Sequence, residues 1–485
     1  MTTGANLRVV ANGINGVTGQ YDVPPMAVED LARAIKGIDP AKAAPEHVTE
    51  RGRKLAHPAF ARALPWGVEP HDVARAGWGI VFHRDEPAPV REALRSLIEH
   101  RRRQIRDDAR VKELTYFPGE TATSWLARHE VAWHNVQPTR VPYYLLWVGA
   151  PEGIGFEVTH EIDSDYCVGL LDFDTPDEYA RYAEGVIRYE TAQNVSNARE
   201  AVFFATRHPF DDATMVSADW LVGPLVDGMP ESGLTPAEPP LAPQLGFRQR
   251  KLIADNATRQ ALVEVFAGTH SRPSLIFTAS HGMVWPNGDS HQFAAQGALL
   301  CQDWPGFGSV APAHYLAAGD IPDTARVDGL ITFHFACYSG GTPLQDLYQF
   351  EKGEVPQPIA PRPFVAALPR RLLSHPAGGA LACIGHVERA WGSSITGGVA
   401  SPQIRAFQRA IAQLLIGKPV GVAAQEFNDL SATVSTVLTR VLGDAFHGLP
   451  VDDVELVSTW TQRNDAAGFV VIGDPAVRLR VNDLV

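Results

Sequence analysis

Short apolar runs recur along this chain, and amphipathic stretches fill the intervals between them. Residues 78–82 form the first such run, bounded by Gly77 and the turn Arg84-Asp85-Glu86-Pro87, and read as a buried strand. A helix follows, with Val90, Leu94, Leu97, Ile98 and Ile105 on one face. Its tail, Arg101-Arg102-Arg103 with Arg106 and Arg110, reads as a solvated helix end. From Tyr143 onward strand and helix alternate. Residues 143–148 are a strand ended by Gly149, and the capping box Thr175-Pro176-Asp177-Glu178 launches a helix to about Tyr189. Further strands are expected at 201–205, 274–278, 330–335, 380–384 and 469–472. A helix beginning at Ser401-Pro402 presents Ile404, Phe407, Ile411, Leu414 and Leu415, and Gly417 with Pro419 stops it. Near-continuous apolar strands separated by helices imply an α/β fold with a mostly parallel sheet covered on both faces. The proline-rich stretches 223–243 and 352–363 read as surface loops, because the alternation resumes after each.

Composition narrows the class. With 485 residues, 45% of them hydrophobic and including 21 Phe, 11 Tyr and 10 Trp, the chain has material for a large packed core. The 55 acidic residues outnumber 42 basic ones, and a net charge of −13 argues against broad binding to nucleic acid or an anionic membrane. Four cysteines (Cys167, Cys301, Cys337, Cys383) with no CxxC pair exclude a disulfide scaffold and weaken a structural zinc reading. The first residues lack a secretory signal pattern, and no uncharged apolar run approaches 18 residues, so a cytoplasmic location is expected. Gly13, Gly16 and Gly19 suggest a dinucleotide loop superficially. That loop requires a helix directly after it, whereas Pro24-Pro25 follow, so the motif reads as a glycine-rich turn.

The candidate chemistry lies at the ends of two strands. One runs into His281-Gly282 and the other into Ala336-Cys337, followed by Gly340-Gly341. In an open parallel sheet the carboxyl ends of strands share one edge, where ligands bind. A His and a Cys delivered there suit nucleophilic catalysis, with the imidazole taking the thiol proton and the thiolate attacking a carbonyl. The N–H groups of Gly282 and Cys337 are candidate donors to the developing oxyanion. His334, inside its strand, reads as structural. A metal-dependent hydrolase using His281, His291 and Cys337 is disfavoured, because no compact ligand motif such as HExxH is present.

These residues resemble a known family. Thr278-Ala279-Ser280-His281-Gly282 and Phe335-Ala336-Cys337 are similar to the His-Gly and Ala-Cys blocks of caspase-fold cysteine peptidases, specifically the gingipains. Residues 144–149, Ser164-Asp165 with Gly169, residues 186–190, the stretch from Gly379 to Trp391 and the closing 471–475 resemble further blocks in the same order. The resemblance implies a caspase-like three-layer α/β/α sandwich over residues 141–485, preceded by a smaller α/β N-terminal subdomain, 1–140, of unassigned role. It implies His281 as base and Cys337 as nucleophile. Asp165 would form the floor, and Trp391 part of the wall, of a pocket for the residue before the scissile bond, with Asp163 an alternative acid. A carboxylate there selects Arg or Lys. Glu152 and Glu157 are candidates to orient His281. Gingipain-like enzymes are exported with a signal and a pro-segment, and neither is legible here. Restraint by a protein partner, by a substrate-displacing loop or by self-cleavage is expected, with the arginines at 101–110 and the 352–363 loop as candidate cut sites. No cofactor is required, and structural calcium, found in some relatives, has no motif here that demands it. The expectation is therefore a cysteine endopeptidase acting on protein or peptide substrates through a thioester acyl-enzyme. The alternative is a catalytically silent caspase-fold scaffold.

Overall fold

The structure, a computed structural model, describes residues 8–37, 46–55, 63–231, 237–346, 357–396 and 404–485. Its framework among these residues is one ten-stranded sheet. We number its strands β1 (Trp78–His83), β2 (Val111–Tyr116), β3 (Tyr144–Val148), β4 (Cys167–Leu171), β5 (Ala198–Ala205), β6 (Arg248–Ile253), β7 (Pro273–Ala279), β8 (Ile331–Phe335), β9 (Ala382–His386) and β10 (Phe469–Gly473). The spatial order is β2-β1-β3-β4-β10-β9-β8-β7-β5-β6. Every neighbouring pair is parallel except β9 and β10, which run antiparallel. Strands β3, β4, β8, β9 and β10 are buried at every position, as expected where helices cover both faces of a mostly parallel sheet. Residues before position 141 supply β1 and β2, which continue the sheet beside β3.

Aromatic packing ties helices to the centre of the sheet. Phe333 on β8 has Phe407 and Phe427, from helices Arg405–Leu415 and Val420–Phe446, at ring-centroid distances of 5.9 and 5.7 Å, with Phe469 of β10 at 5.6 Å. The start expected at Ser401-Pro402 and the loop positions 352–356 fall outside the described residues. The capping box at Thr175 is formed, and its helix spans Pro176–Thr191.

Arg101 departs from expectation. It lies on the same face of helix Arg95–Ile105 as Leu97, Ile98 and Ile105, and that face is buried. Its Nε and Nη2 donate to Asp474 Oδ2 at 2.9 and 2.7 Å, and its Nη1 donates to Glu190 Oε2 at 2.8 Å. Only its neighbours behave as a solvated end: Arg102 pairs with Glu99 and Glu113 at the surface.

Near the N-terminus, Arg8–Val9 pairs antiparallel with Met26–Ala27. Gly13–Asn15 then pairs parallel with Gly282–Val284 in a small four-stranded sheet. Residues 13–22 fold back as a hairpin, with Asn15 N–H donating to the Gln20 carbonyl at 2.9 Å and Asp22 N–H to the Gly13 carbonyl at 3.0 Å. The glycine motif is therefore a tight turn. A Cβ at Gly16 would lie 2.5 Å from the Trp285 ring, and one at Gly19 (φ +63°) would overlap the Gly308 carbonyl oxygen at 1.4 Å. No helix of the described residues is long and apolar enough to cross a membrane.

Candidate active site

β7 and β8 lie in register, with Ala279 opposite Phe335, so both strands release their next residues at the same edge. Ser280 N–H still reaches the Phe335 carbonyl at 3.2 Å, and His281-Gly282 and Ala336-Cys337 follow. Tyr338 has a left-handed backbone (φ 59°), which turns the chain sharply after Cys337. Gly282 lies flat against the Cys337 backbone: a Cβ on it would sit 1.8 Å from the Cys337 carbonyl oxygen and 2.9 Å from its nitrogen.

That contact aligns two donors. Gly282 N–H and Cys337 N–H point at one oxygen, the main-chain carbonyl of Asn12, at 2.9 and 3.2 Å. Paired backbone donors of this kind can stabilise an oxyanion on a carbonyl carbon under attack. Replacing Gly282 by alanine is expected to push its N–H out of line with that of Cys337, and any acyl transfer at this site should slow by at least about 100-fold, the cost of losing such a donor. The thermal midpoint should fall as well, because the neighbour in the way is backbone and cannot rotate aside. A G282A chain with wild-type rates would show that the donor pair stabilises no transition state.

The Cys337 sulfur is completely buried, and Ala390 N–H donates to it at 3.2 Å. Burial pushes the thiol well above its usual range, with Asp22 and Asp465 adding to the rise, while Ala390 N–H and the Arg389 guanidinium act the other way. The buried sulfur is therefore held as the thiol.

His281 is fully buried too. Its Nε2 is 2.7 Å from Asp211 Oδ2. Burial alone would raise the Asp211 carboxyl, but His281, the Tyr21 hydroxyl and Thr214 hold it well below the usual carboxylate range. An ionised carboxylate only accepts, so the proton sits on Nε2 and, in the neutral ring, Nδ1 carries the lone pair. Nδ1 is buried with no hydrogen-bond partner among the described residues, leaving it available to take a proton. Tyr21 donates its hydroxyl to Asp211 Oδ1, and Ala213 N–H reaches that same oxygen at 3.3 Å. The imidazole has the Tyr21 and Trp304 rings edge-on at 5.7 and 6.1 Å. The carboxylate that orients His281 is thus Asp211. Glu152 and Glu157 do not take that place; the Glu152 side chain is largely exposed and 3.9 Å from Arg362.

Trp391 meets the extended N-terminal segment through its backbone. Ala11 lies opposite Trp391 in an antiparallel bridge, and Asn12 N–H donates to the Ala390 carbonyl at 2.8 Å. The indole packs in a separate cluster with Val9, Ala11 and Trp460. Asp465, which sequence reasoning missed, fixes this stretch: it accepts from Trp391 N–H and Ser394 Oγ, each at 2.8 Å. Burial pushes its carboxyl up to about 7, against those two hydrogen bonds.

The two carboxylates expected at the pocket floor, Asp165 and Asp163, are both engaged by partners within the chain. Asp165 is buried three strands along the same edge, at the start of β4, and its oxygens are taken. Arg51 Nη1 donates to it at 2.9 Å, and His134 contributes its N–H at 2.6 Å and its Nδ1 at 3.0 Å. Burial would raise this carboxyl, yet His134 and Arg51 hold it low, so it is a charge already neutralised from within the chain. Asp163 is equally occupied, accepting from Val168 N–H at 2.8 Å and Asn428 Nδ2 at 2.7 Å. His334 bonds Thr278 Oγ1 at 2.8 Å, and burial pushes it down to about 3, so it stays neutral within the sheet. His291 is exposed beside Asp289, and among the described residues no group of three or more His, Cys, Asp or Glu could hold a metal ion.

No family model and no curated protein matches this chain. Three solved structures resemble it across most of their length. The complex of Porphyromonas gingivalis RgpB pro- and mature domains gives a TM-score of 0.40 at 12% identity, covering 84% of this chain and 80% of that one. The Arg-specific cysteine proteinase gingipain R (RGPB) gives 0.42 at 11% identity, covering 85% and 81%. A structure described as a protease gives 0.47 at 12% identity, covering 83% and 78%. Likeness at this level carries no argument about activity, which rests on the site itself.

Proposed function

We propose that this chain is a cysteine endopeptidase in which Cys337 is the nucleophile, His281 Nδ1 the base and Asp211 the residue that fixes the imidazole. The observation that carries the reading is the convergence of Gly282 N–H and Cys337 N–H on one peptide carbonyl oxygen beside the sulfur. The thiol gives its proton to Nδ1 and the sulfur attacks the carbonyl carbon. The two N–H groups hold the oxyanion, and the imidazolium protonates the leaving amine. Water then hydrolyses the thioester. Specificity for Arg or Lys is not part of this reading, because the charge that would select them is already paired with Arg51 and His134.

A fluorogenic peptide panel differing only at the residue before the cleaved bond tests it. Hydrolysis is expected, and it should be lost in Cys337→Ala and after iodoacetamide but survive EDTA. A folded wild-type chain that cuts no peptide in the panel, and whose Cys337 resists alkylation, would instead be a silent scaffold.

A further inference from the structure

Residues 9–15 lie across the cleft as a substrate chain would. Before Asn12, Val10 N–H donates to Ser393 Oγ at 2.9 Å and Ala11 bridges Trp391. After it, Gly13 and Ile14 pair in parallel with Gly282 and Met283. The Asn12 carbonyl fills the two-donor cradle, and a side chain at Gly13 would come 3.2 Å from Cys337 Sγ, so glycine leaves the sulfur clear against this peptide bond. The Asn12 side chain is buried, and its Nδ2 donates to Ser217 Oγ at 3.0 Å. Ser217 spends its own hydrogen on the Ala213 carbonyl at 2.9 Å, so it offers Asn12 a lone pair. Asn12 Oδ1, beside Gly392, has no partner among the described residues, so the amide nitrogen is the group this pocket reads. A turn of π-helix over Ser217–Val222 places that hydroxyl.

We propose that Asn12–Gly13 is a bond this protein cuts in its own chain, and that Ser217 makes asparagine the preferred residue before the cleaved bond. The proposal rests on the peptidase reading above and adds its substrate class. Cys337 Sγ bonds to the Asn12 carbonyl carbon as its proton passes to His281 Nδ1. The C–N bond to Gly13 breaks, and that proton goes to the Gly13 amine. Water then adds to the thioester, returning the thiol and leaving a carboxylate on Asn12. The hairpin from Gly13 to Asp22 stays, held by its pairing with Gly282–Val284, by Tyr21 on Asp211 and by Asp22 on Arg389 at 2.9 Å. The piece ending at Asn12 leaves, and the two-donor cradle with the stretch along Trp391 opens to the residues before the cut bond of another chain.

N-terminal sequencing and intact mass of the full-length protein, purified and then incubated, give the test. Wild type should acquire an N-terminus beginning Gly13-Ile14-Asn15, Cys337→Ala should not, and Asn12→Gln should slow the cut at least about 100-fold. In trans, Val-Val-Ala-Asn-aminomethylcoumarin should be hydrolysed at least about 100-fold faster than the same peptide ending in Asp or Arg. If wild type cuts peptides in trans while its Asn12–Gly13 bond stays intact, self-cleavage is wrong and the peptidase reading stands. A Gly13 N-terminus that also forms in Cys337→Ala overturns the proposal, as does preference for Arg over Asn. Failure to cut either its own chain or any peptide overturns both readings together.

Discussion

Replacing Asp211 by asparagine should lower kcat/KM by about 10³–10⁴-fold while leaving the fold in place, the scale seen when a triad carboxylate is made an amide. The reason is the tautomer. Oδ1 of Asp211 accepts from the Tyr21 hydroxyl and Ala213 N–H, so an asparagine keeps its oxygen there and turns its NH₂ toward His281. Nε2 would then have to accept, and the ring proton would move to Nδ1, the atom proposed to receive the thiol proton. Tyr21→Phe should act in the same direction more weakly, because it removes one donor and leaves the carboxylate. The check is a pH–rate profile beside kcat. An Asp211→Asn enzyme within threefold of wild type across the profile would remove Asp211 from the mechanism. A Tyr21→Phe enzyme more impaired than Asp211→Asn would give Tyr21 a direct role.

The largest structural effect is expected at Arg101. Truncation to alanine leaves Asp474, which has no solvent exposure, and the nearly buried Glu190 without their cation. Breaking a buried ion pair from one side typically costs about 3–5 kcal/mol. The same site predicts the acid limb of stability. Burial alone would raise the Glu190 carboxyl, but Arg101 and His100 bring it down to about 2. Its ordinary value is near 4.3, and a group whose folded value is depressed stabilises the fold above its unfolded value and loses that contribution as pH falls through the folded one. Glu190 should therefore contribute about 3 kcal/mol at neutral pH, withdrawn between roughly pH 5 and 2. Thermal midpoints from pH 7 to pH 3 measure it: wild type should lose stability steeply below pH 5, and Glu190→Gln should lose less over that interval. Equal slopes in both proteins would assign the acid transition to other carboxylates.

The apolar runs were readable because burial on both faces leaves a strand no polar positions; β7, β8 and β9 follow from that alone. β6 was not readable, since Arg248–Ile253 opens with four polar residues, Arg, Gln, Arg and Lys, at the sheet edge and contains no apolar run. The direction of β10 was equally hidden, because an apolar run of five residues reads the same both ways. His281 and Cys337 were legible at strand ends followed by glycine-rich turns. Asp211 was not: it caps the short helix Asp212–Val216, and as a cap it looks like any other Asp. Nor did Asp165 carry a mark of its partners, since Arg51 and His134 reach it only through the tertiary fold. The glycines at 13, 16 and 19 signalled a turn, but where that turn docks was written in no local pattern.

β10 occupies the middle of the sheet although its residues, 469–473, come after those of every other strand of the sheet. Until they emerge from the ribosome, β9 and β4 have no strand between them, and the sheet stands as two separate halves. Asp465, which fixes Trp391 and Ser394, leaves the exit tunnel with them. Such contacts between distant parts of a chain form late and slowly. Vectorial synthesis therefore sets a clock on this edge: Trp391 and Ser394 lack Asp465, and β9 lacks its antiparallel neighbour, until translation has passed residue 473.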